Sequence, residues 1–114
     1  MSEVWPTDWL RGLLELMVLS VVSEGETYGY LIAARIVEAG LGTVKGGTLY
    51  PLLNKLEAEE ALASEWRQGA GGPGRKFYTL TPAGQERLAD RREKWRQFST
   101  LASAIVLGQE PQRG

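Results

Sequence analysis

Pro51 sits close behind the glycine pair Gly46-Gly47 and inside an apolar row spaced for a helix, and this placement constrains the chain more than any other feature. Proline has no backbone N–H and is tolerated only in the first turn of a helix, so a helix is predicted to begin near Gly47 or Thr48. With that phase set, Leu49, Leu52, Leu53 and Leu56 fall on one stripe and can be buried together. The opposite face carries Pro51, Asn54 and Ala58, with Thr48, Tyr50 and Lys55 on its shoulders. Acids enter only at the far end, as Glu57, Glu59 and Glu60, so the first two turns can approach a phosphate backbone without strong repulsion.

Two aromatic-bearing segments follow, Leu62 to Arg67 and Arg75 to Leu80, separated by the run Gly69-Ala70-Gly71-Gly72-Pro73-Gly74. Short strand candidates around a glycine-rich turn predict a hairpin. Arg67, Arg75 and Lys76 flank its tip, where cations can meet phosphates or a minor groove. Thr81-Pro82 then opens a last helix, with Thr as cap and Pro at the first helical position, running to about Leu107. Helix, glycine-tipped hairpin and second helix are the layout of a winged helix-turn-helix. The fold expected is therefore mainly α, of α+β type, with residues 1–80 as the winged-helix unit, residues 81–108 as a long C-terminal helix and residues 109–114 as a flexible tail.

The flanking helices predict an assembly. Thr7 or Asp8 can cap a first helix, and Leu10, Leu13, Met17 and their neighbours make that helix apolar on more than one side. One side serves its own domain and the other is open to a partner. Thr27 to Ala39 predicts the next helix, ending at Gly40, with Leu41 to Lys45 as the connection onward. On the last helix Leu88, Trp95 and Ala102 recur at intervals of seven, with Phe98 and Ile105 in a second row that Arg91 interrupts. The basic run Arg91-Arg92 with Lys94 and Arg96 is interleaved with Glu86, Asp90 and Glu93 and reads as a solvated face.

Tyr28-Gly29-Tyr30, Gly47-Thr48-Leu49-Tyr50-Pro51-Leu52-Leu53 with Leu56-Glu57, and Tyr78-Thr79-Leu80-Thr81-Pro82-Ala83-Gly84 together resemble the PadR-like family of bacterial transcriptional regulators. The resemblance runs from about Leu10 to Ile105. It implies a ligand-responsive repressor that binds double-stranded DNA as a homodimer, with the first and last helices at the dimer interface. Carried onto this chain, the DNA-facing residues are Lys45, Thr48, Tyr50, Pro51, Asn54, Lys55, Arg67, Arg75 and Lys76, and the interface residues are Leu10, Leu13, Met17, Leu88, Trp95, Phe98, Ala102 and Ile105. Multidrug-sensing members are similar to this chain in carrying a Trp at the offset of Trp95, which implies a slot for a planar aromatic small molecule, approached by Trp9 and Glu15. Family members often have His where Tyr28 stands and Gly where Ala61 stands, so the helix exit near Ala61 lacks the usual left-handed glycine.

Composition bounds the remaining readings. The 114 residues make one domain, and 43% hydrophobic content supplies a modest core with some apolar surface left over. The chain contains neither Cys nor His, which removes disulfides, thiol nucleophiles, imidazole bases and the usual zinc ligands. No metal, cofactor or enzymatic activity is therefore expected. No apolar stretch is long enough to span a bilayer, so a cytoplasmic protein without membrane contact is expected. A formal net charge of −1 argues against a nucleic-acid partner until it is resolved along the chain: net −4 over residues 1–40, +1 over 41–80 and +2 over 81–114. The competing reading is a winged helix that binds another protein in place of DNA.

Overall fold

The computed structural model describes residues 5–68 and 72–109. Four helices, α1 (Thr7–Ser23), α2 (Gly29–Glu38), α3 (Gly46–Ala58) and α4 (Pro82–Val106), surround three strands, β1 (Thr27–Tyr28), β2 (Leu62–Arg67) and β3 (Arg75–Leu80). The sheet is antiparallel in the order β1-β3-β2. Both hairpin strands have the limits their sequence predicts, and β2 pairs with β3 from Leu62↔Leu80 to Arg67↔Arg75. Gly69, Ala70 and Gly71 of the expected turn, and the tail beyond Gln109, lie outside the described residues.

Three expectations need correction. Thr27 and Tyr28 do not start α2; they form β1, which pairs with Tyr78 and Phe77, and α2 begins only at Gly29. A two-residue strand has no periodicity to read, and its partner is remote in the chain. At α1 the N-cap is Pro6, with no side-chain cap, and Asp8 lies inside the first turn, where it pairs with Arg11. The third concerns Leu88, expected at a dimer interface but only 3% exposed within its own protomer's core.

α3 starts at Gly46, slightly before the expected position, which puts Pro51 in the second turn. Proline then deprives the Gly47 carbonyl of its i+4 amide, and a Cβ placed on Gly47 would touch nothing within 4 Å. Leu49, Leu53 and Leu56 are buried as their spacing predicts, joining Val18, Leu19, Ile32, Ile36, Leu62 and Tyr78 in one core. The exit of α3 is a Schellman turn in which Ala61 N–H donates to the Leu56 carbonyl and Glu60 N–H to that of Glu57. Its left-handed residue is Glu60, at φ 63°, one position before the expected site at Ala61.

That exit also holds the start of α4. The Thr81 hydroxyl donates to the Glu60 carbonyl at 2.6 Å, its backbone N–H donates to that of Ala61, and its oxygen caps α4 by accepting from Gly84 N–H at 2.9 Å. Gly84 lies so close that a Cβ there would fall 2.0 Å from the Ala61 carbonyl oxygen. Beyond Arg92 the helix leaves the domain, and Phe98, Leu101, Ile105 and Val106 are each at least 63% exposed. The Cα radius of gyration is 16.2 Å, against roughly 13 Å for a compact chain of this length.

Candidate nucleic-acid interface

The exposed side of α3 presents Thr48, Tyr50, Pro51 and Asn54, as its phase predicts. Tyr50 does not stand free in solvent. Its ring lies across the start of α2, where a Cβ on Gly29 would come within 2.5 Å of the Tyr50 hydroxyl. Gly29 therefore lets the tyrosine lie flat between the two helices, and a larger residue would push the ring outward.

Between α3 and the β2-β3 hairpin runs a groove of about 630 Å³, lined by Tyr50 and Asn54 from the helix and by Trp66, Arg75 and Lys76 from the strands. Tyr28, Tyr30 and Tyr78 complete the wall. Tyr28, Tyr30 and Tyr78 stand in the segments that carry the family resemblance, but neither they nor Trp66 are among the residues expected to face DNA; for Trp66 hairpin alternation held the signal, since it faces Lys76 across the ladder, on the same side as Ser64 and Tyr78. Trp66 is 68% exposed and Tyr30 71% exposed, so the groove offers open apolar faces beside two cations.

The five expected cations separate into three groups. Lys55 turns away from the groove to Glu15 of α1 and Glu59, each at 3.3 Å, and those contacts raise its pKa, that with Glu59 first and then Glu15. Arg67 forms a two-pronged pair with Glu26, also reaches Glu65, and lies 4.7 Å from the centre of the Phe77 ring. Lys76 stays at the groove, with Glu57 at 2.9 Å. Glu57 is itself hydrogen-bonded by Ser64, and that bond followed by Lys76 holds its carboxyl below the usual carboxylate range. Lys45 and Arg75 have no carboxylate partner among the described residues. Arg75 rests over the Tyr28 ring at 4.8 Å, which aims its guanidinium without neutralising it. Lys45 and Thr48 line a separate depression between α3 and α1. Tyr50, Asn54, Arg75 and Lys76 thus converge, whereas Lys45 and Thr48 lie apart, and Lys55 and Arg67 are engaged elsewhere.

The other expected surface lies on α1 and α4. Leu10, Leu13 and Met17 are half-buried, Ala102 is half-buried, and Trp95, Phe98 and Ile105 are exposed. Trp95 packs obliquely on Phe98, with ring centres 6.5 Å apart. Trp9 is 63% exposed. Glu15 is not a free acid, since Lys55, Arg87 and Arg91 all reach its carboxylate. Among the described residues no helix is long and apolar enough to cross a membrane, and no group of three His, Cys, Asp or Glu side chains is arranged to hold a metal ion.

An exposed α3, a sheet-edge hairpin beside it and a long trailing helix define a winged helix-turn-helix protein of the kind that carries a reading helix. The chain belongs to the transcriptional regulator PadR-like family, whose model matches residues 18–90. It is 33% identical over 107 residues to a transcriptional regulator of Mycobacterium tuberculosis, covering 94% of this chain and 95% of that one. The crystal structure of a PadR family transcriptional regulator from Eggerthella lenta superposes with a TM-score of 0.79 at 32% identity, over 88% of this chain and 87% of that one. Bacillus subtilis PadR, solved in complex with operator DNA, is similar at 29% identity and a TM-score of 0.64, over 68% of this chain and 44% of that one. The family is one of transcriptional regulators, not of enzymes.

Proposed function

We propose that this chain is a cytoplasmic repressor that binds a pseudo-palindromic operator in double-stranded DNA as a homodimer and leaves it when a planar aromatic compound binds. The observation that carries the DNA reading is the groove between α3 and the wing, where Tyr50, Asn54, Arg75 and Lys76 converge. With α3 in a major groove and the hairpin over the adjacent minor groove, the phosphate strand between them runs past Arg75 and Lys76, while Asn54 reaches a base edge.

The homodimer is supported by the exposed row Trp95, Phe98, Leu101 and Ile105, which one protomer leaves uncovered. Two reading helices about 34–36 Å apart would match one turn of duplex. The ligand reading rests on Trp95, an indole 41% exposed on that row. Since Glu15 is held by three cations, the slot is left without the acid that would favour cationic compounds, and flatness becomes the criterion. Such a compound releases DNA only by binding the DNA-incompetent arrangement more tightly.

Selection of bound fragments from genomic DNA by the purified protein, at stated salt, tests the whole reading. Enrichment of a two-fold symmetric sequence is expected, and Asn54→Ala should relax preference at one or two positions in each half-site. No enrichment over competitor DNA would sink the DNA reading. For the ligand, planar dyes should quench tryptophan emission, and Trp95→Leu should remove most of that quenching with the dimer intact; unchanged dye affinity would return Trp95 to interface packing.

A further inference from the structure

Glu15 is the meeting point of three helices. Its carboxylate, on α1, is reached by Lys55 Nζ of α3 at 3.3 Å and by Arg87 and Arg91 of α4 at 3.3 and 3.1 Å. Glu59, the residue that caps the end of α3, closes the cluster by accepting from Lys55 at 3.3 Å and from Arg87 at 2.9 Å. Glu15 and Arg87 are the most covered members, with side chains 23% and 26% exposed. Isolated exposed ion pairs stabilise little, but here Glu15, Glu59, Lys55 and Arg87 are each held by two or more partners, and Arg91 by Glu15. Removing one acid here leaves a single carboxylate against three cations, two on α4 and one on α3. Their repulsion pushes those two helices apart.

The position of α4 is already fixed at its start, where Thr81 bonds the Glu60 and Ala61 carbonyls and Gly84 lies against Ala61. Leu88, one turn further on, is buried in the core and anchors the helix a second time. Arg87 and Arg91 flank that anchor and tie the same stretch to α1 and to the exit of α3, which sets the direction the helix takes beyond it. Errors in direction are magnified along the helix. From Arg91 to Ile105 is about 21 Å at 1.5 Å per residue, so a swing of roughly 10° moves Ile105 by about 3.7 Å and Phe98, halfway along, by about 1.8 Å. The larger of these matches the rise of one base pair, about 3.4 Å.

We propose that Glu15 is a positioning residue that fixes the angle between the reading helix α3 and the long helix α4, and thereby the spacing of the half-sites a dimer reads. This inference rests on the reading of the chain as a dimeric DNA-binding protein. Lys55 acquires a role in the same step: its cation braces the reading helix from behind and does not contact DNA phosphate. The acid expected to greet a ligand instead holds the frame that a ligand in the slot would have to distort.

The absence of cysteine makes the test clean, because Thr48→Cys supplies a single labelling position on α3 of each protomer. Pulsed electron-electron resonance between the two spin labels reads the separation of the reading helices without DNA. The native background should give a narrow distribution. Glu15→Gln should shift or widen it by several ångströms, Arg91→Met should do so less, and Asp8→Asn, on the same helix but paired among the described residues only with Arg11, should leave it unchanged. Sedimentation and melting confirm that each variant is dimeric and folded. In unlabelled protein, Glu15→Gln should lower discrimination between the selected operator and one with half-sites moved by one base pair about threefold or more, with a smaller change in affinity for the best spacing. Superimposable distributions for Glu15→Gln and the native background, both dimeric, would overturn the role of Glu15 and leave the dimer reading standing. No defined distance in the native background would sink the dimer reading and this inference together.

Discussion

The two halves of α4 treat their large apolar residues oppositely. In the first half Leu88 is sealed in the core and Gly84 lies against a backbone carbonyl, whereas in the second Phe98, Leu101 and Ile105 face solvent. Charge follows the same division. Around the first half Glu15, Glu59, Lys55 and Arg87 neutralise one another, while at the wing Arg75 is held over a ring with no acid paired to it among the described residues. Groups satisfied inside the protomer build the frame, and groups left unsatisfied mark where other molecules belong.

The largest expected contrast lies along α4 itself. Leu88→Ala should cost about 3 kcal/mol of stability at every protein concentration, because it empties a filled core site. Phe98→Glu should leave the protomer's fold intact and abolish the dimer, since a charge would enter the apolar row of each copy. Chemical denaturation and sedimentation over a range of concentrations separate these outcomes. Equal destabilisation of the monomer by both substitutions would break the comparison.

Gly84→Ala follows, at about 2 kcal/mol, because the new methyl must displace the Ala61 carbonyl and with it the Thr81 cap. A melting temperature unchanged from the native protein would show that the joint between α3 and α4 is softer than its geometry. At the DNA surface Arg75→Ala should flatten the dependence of log affinity on log salt by about 2 for a dimer, one phosphate contact being lost from each copy. Arg67→Ala should leave the slope nearly unchanged, because Glu26 already neutralises it. Equal slopes for the two variants would merge the free and the engaged cations into one class.

The smallest effect concerns pH. The hydrogen bond from Ser64, and then that from Lys76, hold the Glu57 carboxyl below its ordinary value of 4.5. A depressed folded-state pKa adds stability that is fully present above the unfolded value and is lost as pH falls through the folded one. Stability should therefore decline below about pH 4.5, and Glu57→Gln should make that decline shallower. A decline identical in the variant would remove Glu57 from the account.

Much of the fold was legible because its signals are local. The row of Leu49, Leu53 and Leu56 gave the buried face of α3, the glycine run placed the hairpin with its strand limits, and Thr81-Pro82 opened α4. Each of these depends on a residue's own torsions or on neighbours within a turn or two. The exposed face of α3 was legible for the same reason, which is why Tyr50 and Asn54 were placed correctly on it. Tertiary structure alone decided β1, whose two residues make a strand only when β3 lies alongside. It alone decided that Leu88 closes the core, and that Lys55 and Arg67 are engaged by Glu15 and Glu26, acids 40 and 41 residues away along the chain. A charge's availability depends on what stands within a few ångströms of it, and spacing along the chain carries no such distance until the helices have packed.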